Sequence, residues 1–186
     1  MAHVGLIKAL DEAGIRPDLI VGTSMGAIIG ATYAYGYTGA QIEELVLEFP
    51  LQDVFGGYQP ELPAPLDHLP VFVLLTQKDG GGLHLEAPMA KQDLAEKLIR
   101  TALYDESQTG SVSFSDLVIP LHVIASDLET REAVALSSGD VTQAVLASSA
   151  IPIVLPPVRI DGRILVDGGL SDNIPVRTAR RLGGRG

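Results

Sequence analysis

The chain has 186 residues, enough for one domain with a sizeable core, and sets 13 Lys and Arg against 23 Asp and Glu for a net charge of -10. Such a surface repels phosphate backbones, which excludes nucleic acid as a partner class and disfavours electrostatic docking on anionic lipid. The sequence contains no Cys, which removes thiol nucleophiles, disulfides and thiolate metal sites together and leaves the compartment open.

The opening stretch "MAHVGLIKALDEAG" places Val4, Leu6, Ile7 and Leu10 at helical spacing and Gly14 where a helix stops, predicting an amphipathic helix over 2–13. Its acidic residues do not fit a signal peptide. From Leu19 to Ile42 no side chain is charged, a length that spans a bilayer core of about 30 Å. Gly22, Gly26 and Gly30 also recur at the spacing of helix-pairing faces. The stretch nevertheless changes character at Gly22: "LIV" is strand-like, and "MGAIIGATYAYG" has helical spacing with Gly36 as its stop. A strand, a sharp turn and a helix are therefore expected, with no transmembrane span.

Thr38 is placed to cap a helix over "TGAQIEELVLEF". Residues 50–70 hold five prolines and read as an irregular excursion, a candidate lid. "VFVLL" (71–75) reads as a short strand or a buried helical turn, and "MAKQDLAEKLIRTAL" as an amphipathic helix with Leu94, Leu98 and Ile99 on one side. "LVIPLHVIASDL" and "EAVALSSG" read as strands, "DVTQAVLASSA" as a helix capped by Asp140, and "GRILVDGG" as a strand entering a glycine turn. Strands alternating with helices predict an α/β fold over residues 1–186, with a mainly parallel central sheet and helices on both faces.

"GTSMG" fits G-x-S-x-G, in which a tight strand-to-helix turn holds the serine exposed. Ser24 is the candidate nucleophile. A side chain at Gly22 or Gly26 is expected to crowd the turn against neighbouring backbone. The amides that open the following helix, beginning with that of Met25, would face an oxyanion at Ser24. The histidines (His3, His68, His84 and His122) do not occupy the position of a triad base, and each reads as a surface or core residue. The better candidate base is Asp167 in "LVDGG", at a strand end where α/β sheets gather their ligands. The bland alternative for Asp167 is a turn-forming aspartate before two glycines.

Three segments, "HVGLIKALDEAGIRPDLIVGTSMGAIIGATYAYGY", "ASSAIPIVLPPV" and "LVDGGLSDNIPV", resemble the patatin-like phospholipases, especially the bacterial members. The resemblance covers both ends of the chain, with a looser match in the middle third. It implies hydrolysis of lipid acyl esters by a Ser-Asp dyad through an acyl-serine intermediate, with Ser24 as nucleophile and Asp167 as base. Gly168 and Gly169 would let the backbone turn closely beneath the serine. "SSAIP" (148–152) matches a structural turn of the family and receives no catalytic role.

A free aspartate accepts a serine proton poorly near neutral pH, whereas a desolvated carboxylate away from cations is a stronger base. Asp167 is accordingly expected to be buried and within hydrogen-bond reach of Ser24. In the family, a strand and a glycine-rich loop precede the first helix and supply oxyanion-hole amides; the present sequence opens beyond that point. The alternative is therefore a catalytically weak or inactive lipid-binding module. "DGGG" (79–82) is not assigned as a substitute loop. The expected partner is a lipid or ester substrate met at a membrane surface, in a cytoplasmic or peripheral-membrane setting, and no metal or organic cofactor is implied.

Overall fold

The structure, a computed structural model, describes residues 2–48, 75–78, 82–85, 96, 99–100, 111–152 and 155–183. The proline-rich excursion with His68, residues 71–74 and 79–81, and most of the helix expected around 89–103 lie outside them.

Helix α1 (Ala2–Glu12) buries Val4 and Ile7, as the apolar spacing requires. Gly14 closes it with φ 66°, so the amides of Gly14 and Ile15 return to the carbonyls of Asp11 and Leu10. Strand β1 (Ile20–Thr23) and helix α2 (Met25–Tyr35) then divide the uncharged stretch. Its apolarity follows from the burial of α2, in which Ala27, Ile29 and every residue from Gly30 to Ala34 are buried. No described helix is long and apolar enough to cross a membrane. Helix α3 (Gly39–Glu48) starts at a reciprocal cap: Thr38 Oγ1 accepts from the Gln41 amide, and Gln41 Oε1 accepts from the Thr38 amide.

Strands β2 (Leu75–Lys78) and β3 (Gly82–Leu85) form a separate antiparallel pair, with His84 in β3. Strands β4 (Leu121–Asp127) and β5 (Ala133–Leu136), helix α4 (Val141–Ser148), strands β6 (Val158–Ile160) and β7 (Arg163–Asp167), and helix α5 (Val176–Arg181) follow. Asp140 caps α4 by accepting from the Gln143 amide at 3.0 Å.

The fold is of the α/β class, with a mixed central sheet. Parallel pairing is confined, among the described strands, to β1 with β4. Strands β5 and β7 pair antiparallel with β4, and β6 antiparallel with β7. For β4 with β5 and β6 with β7 the cause is local, because residues 128–132 and 161–162 are links long enough for a hairpin and too short for a parallel crossover.

One edge of β4 receives β5, opposite residues 123–126. The other edge is shared, with β1 opposite 121–124 and β7 opposite 125–127. Strand β1 ends at Thr23, facing Ile124, and β7 arrives from the opposite direction and ends at Asp167, facing Ala125. The two strand ends meet head to head, about one residue rise (~3.3 Å) apart along β4. Val123, Ile124 and Ala125 lie beneath this junction with no exposed surface.

Asp11 ties the first three helices together: Tyr33 Oη donates to its Oδ1 and the Gly39 amide to its Oδ2, both at 2.7 Å. Asp11→Ala leaves the Gly39 amide and the buried Tyr33 hydroxyl without this acceptor; urea denaturation should show a loss of about 2 kcal/mol. His122 reports on the core in another way. Burial pushes its imidazole below the ordinary value of 6.5, and its Nδ1 is buried without a partner. The folded state thus favours the neutral ring, so the associated stability is full above about pH 6.5 and is lost as pH falls below it. Melting temperature should fall less between pH 7 and pH 5 in His122→Gln than in the parent chain.

Candidate active site

The turn after β1 has the geometry that its glycines permit. Ser24 sits at φ 52° and ψ -120°, a left-handed value rare for a residue with a side chain and worth about 1–3 kcal/mol of local strain. A Cβ at Gly22 would lie 2.5 Å from the Gly26 carbonyl oxygen, so the crowding expected there is present. Gly26 differs from expectation. A Cβ there would meet only the His3 ring, at an ordinary 3.6 Å from Nε2, because this side of the first α2 turn faces α1 rather than packed backbone.

Ser24 is half-buried. Its carbonyl accepts from the amides of Ala27 and Ile28, whereas the amides of Met25 and Gly26 make no hydrogen bond among the described residues. These are the free donors at the start of a helix, and they lie beside the serine at the positive end of the α2 dipole.

Asp167 ends β7 and is 8% exposed. Its Oδ1 accepts from the Gly169 amide at 2.7 Å and starts a 3₁₀ turn over Gly168–Leu170. This is the turn-forming role of an aspartate before glycines. Its Oδ2 is buried with no hydrogen-bond partner, an unusual state for a carboxylate oxygen. Ser24 and Asp167 are neighbours by register, but no hydrogen bond joins their side chains in this conformation.

Of the two glycines after Asp167, Gly168 is sterically required, and Gly169 is crowded by side-chain oxygens. A Cβ at Gly168 would lie 2.1 Å from the Ile124 carbonyl oxygen and 2.9 Å from Thr23 Cγ2; one at Gly169 would lie 2.9 Å from Asp167 Oδ1. The loop beyond them closes on β1, since Thr23 Oγ1 donates to the Asp172 carbonyl at 2.9 Å. Ser126 Oγ donates to the Asp167 carbonyl at 2.9 Å. Thr23 and Ser126 were not identifiable as supports from sequence, because their partners come from a distant loop and a facing strand.

A groove of about 510 Å³ runs beside β1, between α1 and the loop at Asn173 and Ile174. Most of its lining is apolar, including Leu6, Ile7 and Ile29, and it reaches Gly22, Thr23 and Gly26. Of the histidines, His3 edges this groove and His122 lies in β4, and among the described residues no hydrogen bond or ion pair joins either to a carboxylate.

The Patatin-like phospholipase family profile matches residues 1–180. The chain belongs to this family. It is 31% identical over 175 residues to an uncharacterised NTE family protein of Mycobacterium tuberculosis, covering 94% of this chain and 41% of that protein. Human patatin-like phospholipase domain-containing protein 6 is 27% identical over 186 residues, with 99% of this chain and 12% of that protein covered. A lysophospholipase of Emericella nidulans is 28% identical over 183 residues, covering 98% and 10%. The chain thus spans less than half the length of each of these relatives.

The glycine geometry separates two substitutions in this patatin-like turn. Gly168→Ala should cost about 3 kcal/mol, because the Ile124 carbonyl cannot withdraw without breaking β4. Gly26→Ala should change stability by less than about 1 kcal/mol, since alanine suits a helix and finds space. Urea midpoints of the two variants and the parent test both values.

Proposed function

We propose that the chain is a lipid acyl hydrolase acting through Ser24 and Asp167. The observation that supports this reading is the head-to-head meeting of β1 and β7 on one edge of β4, with strained Ser24 just beyond the end of β1 and Asp167, which has one unpartnered buried oxygen, at the end of β7. Asp167 Oδ2 takes the proton of Ser24 Oγ as the oxygen attacks the ester carbonyl. The amides of Met25 and Gly26 face the oxyanion that forms. The carbonyl re-forms as the alcohol leaves with the proton from Asp167. Water, deprotonated by the same carboxylate, then attacks the acyl-serine and releases the acid and the free serine. In this reading the serine-carboxylate hydrogen bond forms as substrate excludes water from the site, since catalytic contacts commonly reach their working geometry only in the substrate complex.

The substrate reading rests on the apolar groove beside β1 and on relatives named as phospholipases or lysophospholipase. An ester of a fatty acid fits both. The absence of that side-chain hydrogen bond favours a second reading, in which the chain binds lipid without turning it over.

Hydrolysis of p-nitrophenyl butyrate by the parent, Ser24→Ala and Asp167→Asn separates the two. The hydrolase reading expects each variant to lose about 1000-fold or more in kcat; a variant at the parent rate would sink it. An inactive parent that still binds a fluorescent fatty acid would support the lipid-binding reading.

A further inference from the structure

We infer that Ser148 is a positioning residue for the nucleophile, and that the end of α4 holds both members of the dyad through one turn. The catalytic consequence rests on the proposed roles of Ser24 and Asp167; the geometry does not. Ser148 has no exposed surface. Its hydroxyl donates to the Ile124 carbonyl at 2.6 Å and accepts from the Ser24 amide at 2.8 Å. Two residues later, the Ala150 carbonyl accepts from the Asp167 amide at 2.9 Å.

Why the Ser24 amide needs a side chain follows from the register. Strand β1 pairs with β4 only as far as Thr23 opposite Ile124, and the next position of β4 is taken by Asp167. Ser24 therefore stands just beyond the last paired residue of β1, where the chain turns to positive φ. Ser148 fills the gap with one oxygen. Its single proton is committed to the Ile124 carbonyl, which leaves a lone pair for the Ser24 amide. The same hydroxyl links the central strand to the nucleophile, and the following peptide links to the carboxylate residue. A residue without an acceptor at 148 leaves the Ser24 amide unpaired and frees the turn to relax. Displacement of a reacting group by about 1 Å is enough to lower turnover about 100-fold. Ser149 supplies a comparison at the same depth: its hydroxyl is 1% exposed and has no hydrogen-bond partner.

Amide hydrogen exchange resolved by residue tests the contact in the parent chain. The Ser24 amide should exchange at least about 100-fold more slowly than those of Met25 and Gly26, which have no acceptor; equal rates overturn the inference, whatever the chain catalyses. Ser148→Cys keeps the shape with a weaker acceptor. It should lower Ser24 protection about 10-fold while the Val145 amide stays protected, and lower kcat on p-nitrophenyl butyrate about 10-fold or more with KM within about twofold. Ser149→Ala should leave both readouts near the parent values. Equal losses in the two variants, or a loss in Ser148→Cys shared by the Val145 amide, would make residue 148 a general packing element and overturn the positioning role. If the parent hydrolyses no ester, the exchange measurements still decide the inference, and only the hydrolase reading fails.

Discussion

The approach of Gly168 to the carbonyl of Ile124 is the constraint on which the rest of the site depends. That carbonyl lies in the central strand, at the point where β1 gives way to β7 along one edge. The backbone of residue 168 passes too near it for any side chain, and the same oxygen accepts from Ser148. Two segments distant in sequence are thereby referred to a single atom of the central strand. A shared reference of this kind keeps Ser24 and Asp167 in register more effectively than separate loop contacts, because rigid packed elements absorb little of any displacement.

Local patterns in the sequence were sufficient for the elements around that point. The spacing of Val4 and Ile7, Gly14 as a stop, and Thr38 and Asp140 as caps each act within a few residues, so they survive into the fold, and the break expected at Gly22 falls two residues later, at Ser24. The G-x-S-x-G turn was legible for the same reason: its strain and the need for Gly22 are properties of five consecutive residues. What escaped was long-range. The direction of β7 depends on the short link from β6, and its meeting with β1 depends on the register of two strands against a third, which no local pattern encodes. Gly26 was misread because the sequence does not show that its open side faces a histidine ring on α1. The part played by Ser148 was hidden because a small hydroxyl ending an apolar helix resembles ordinary packing until its two partners are brought beside it.

Charge and apolarity serve different parts of the molecule. The net charge of -10 weakens attraction to anionic surfaces, whereas the groove along β1 is mostly apolar and carries at its rim Leu6 and Ile174, 62% and 76% exposed. Side chains of this kind at a rim suit an amphiphile, whose tail can leave a bilayer or micelle without crossing a charged barrier. The small share of each relative that the chain covers marks the patatin-like unit as a module that larger proteins carry alongside other segments.

The Asp11 junction has a consequence for how the molecule comes apart. It fastens α1, α2 and α3 to one another, while the strand between α1 and α2 has β4 as its sole partner among the described strands. Three helices fastened to one another are joined to the remainder by the β1–β4 pair, by the Ala34 carbonyl and by the bonds of Thr23 and Ser24, so opening along the seam between the two parts requires these ties to give way together. Partial opening along that seam would carry the alcohol away from a carboxylate still anchored between β4 and β6. The proposed hydrolysis would then be lost before the final collapse of the sheet.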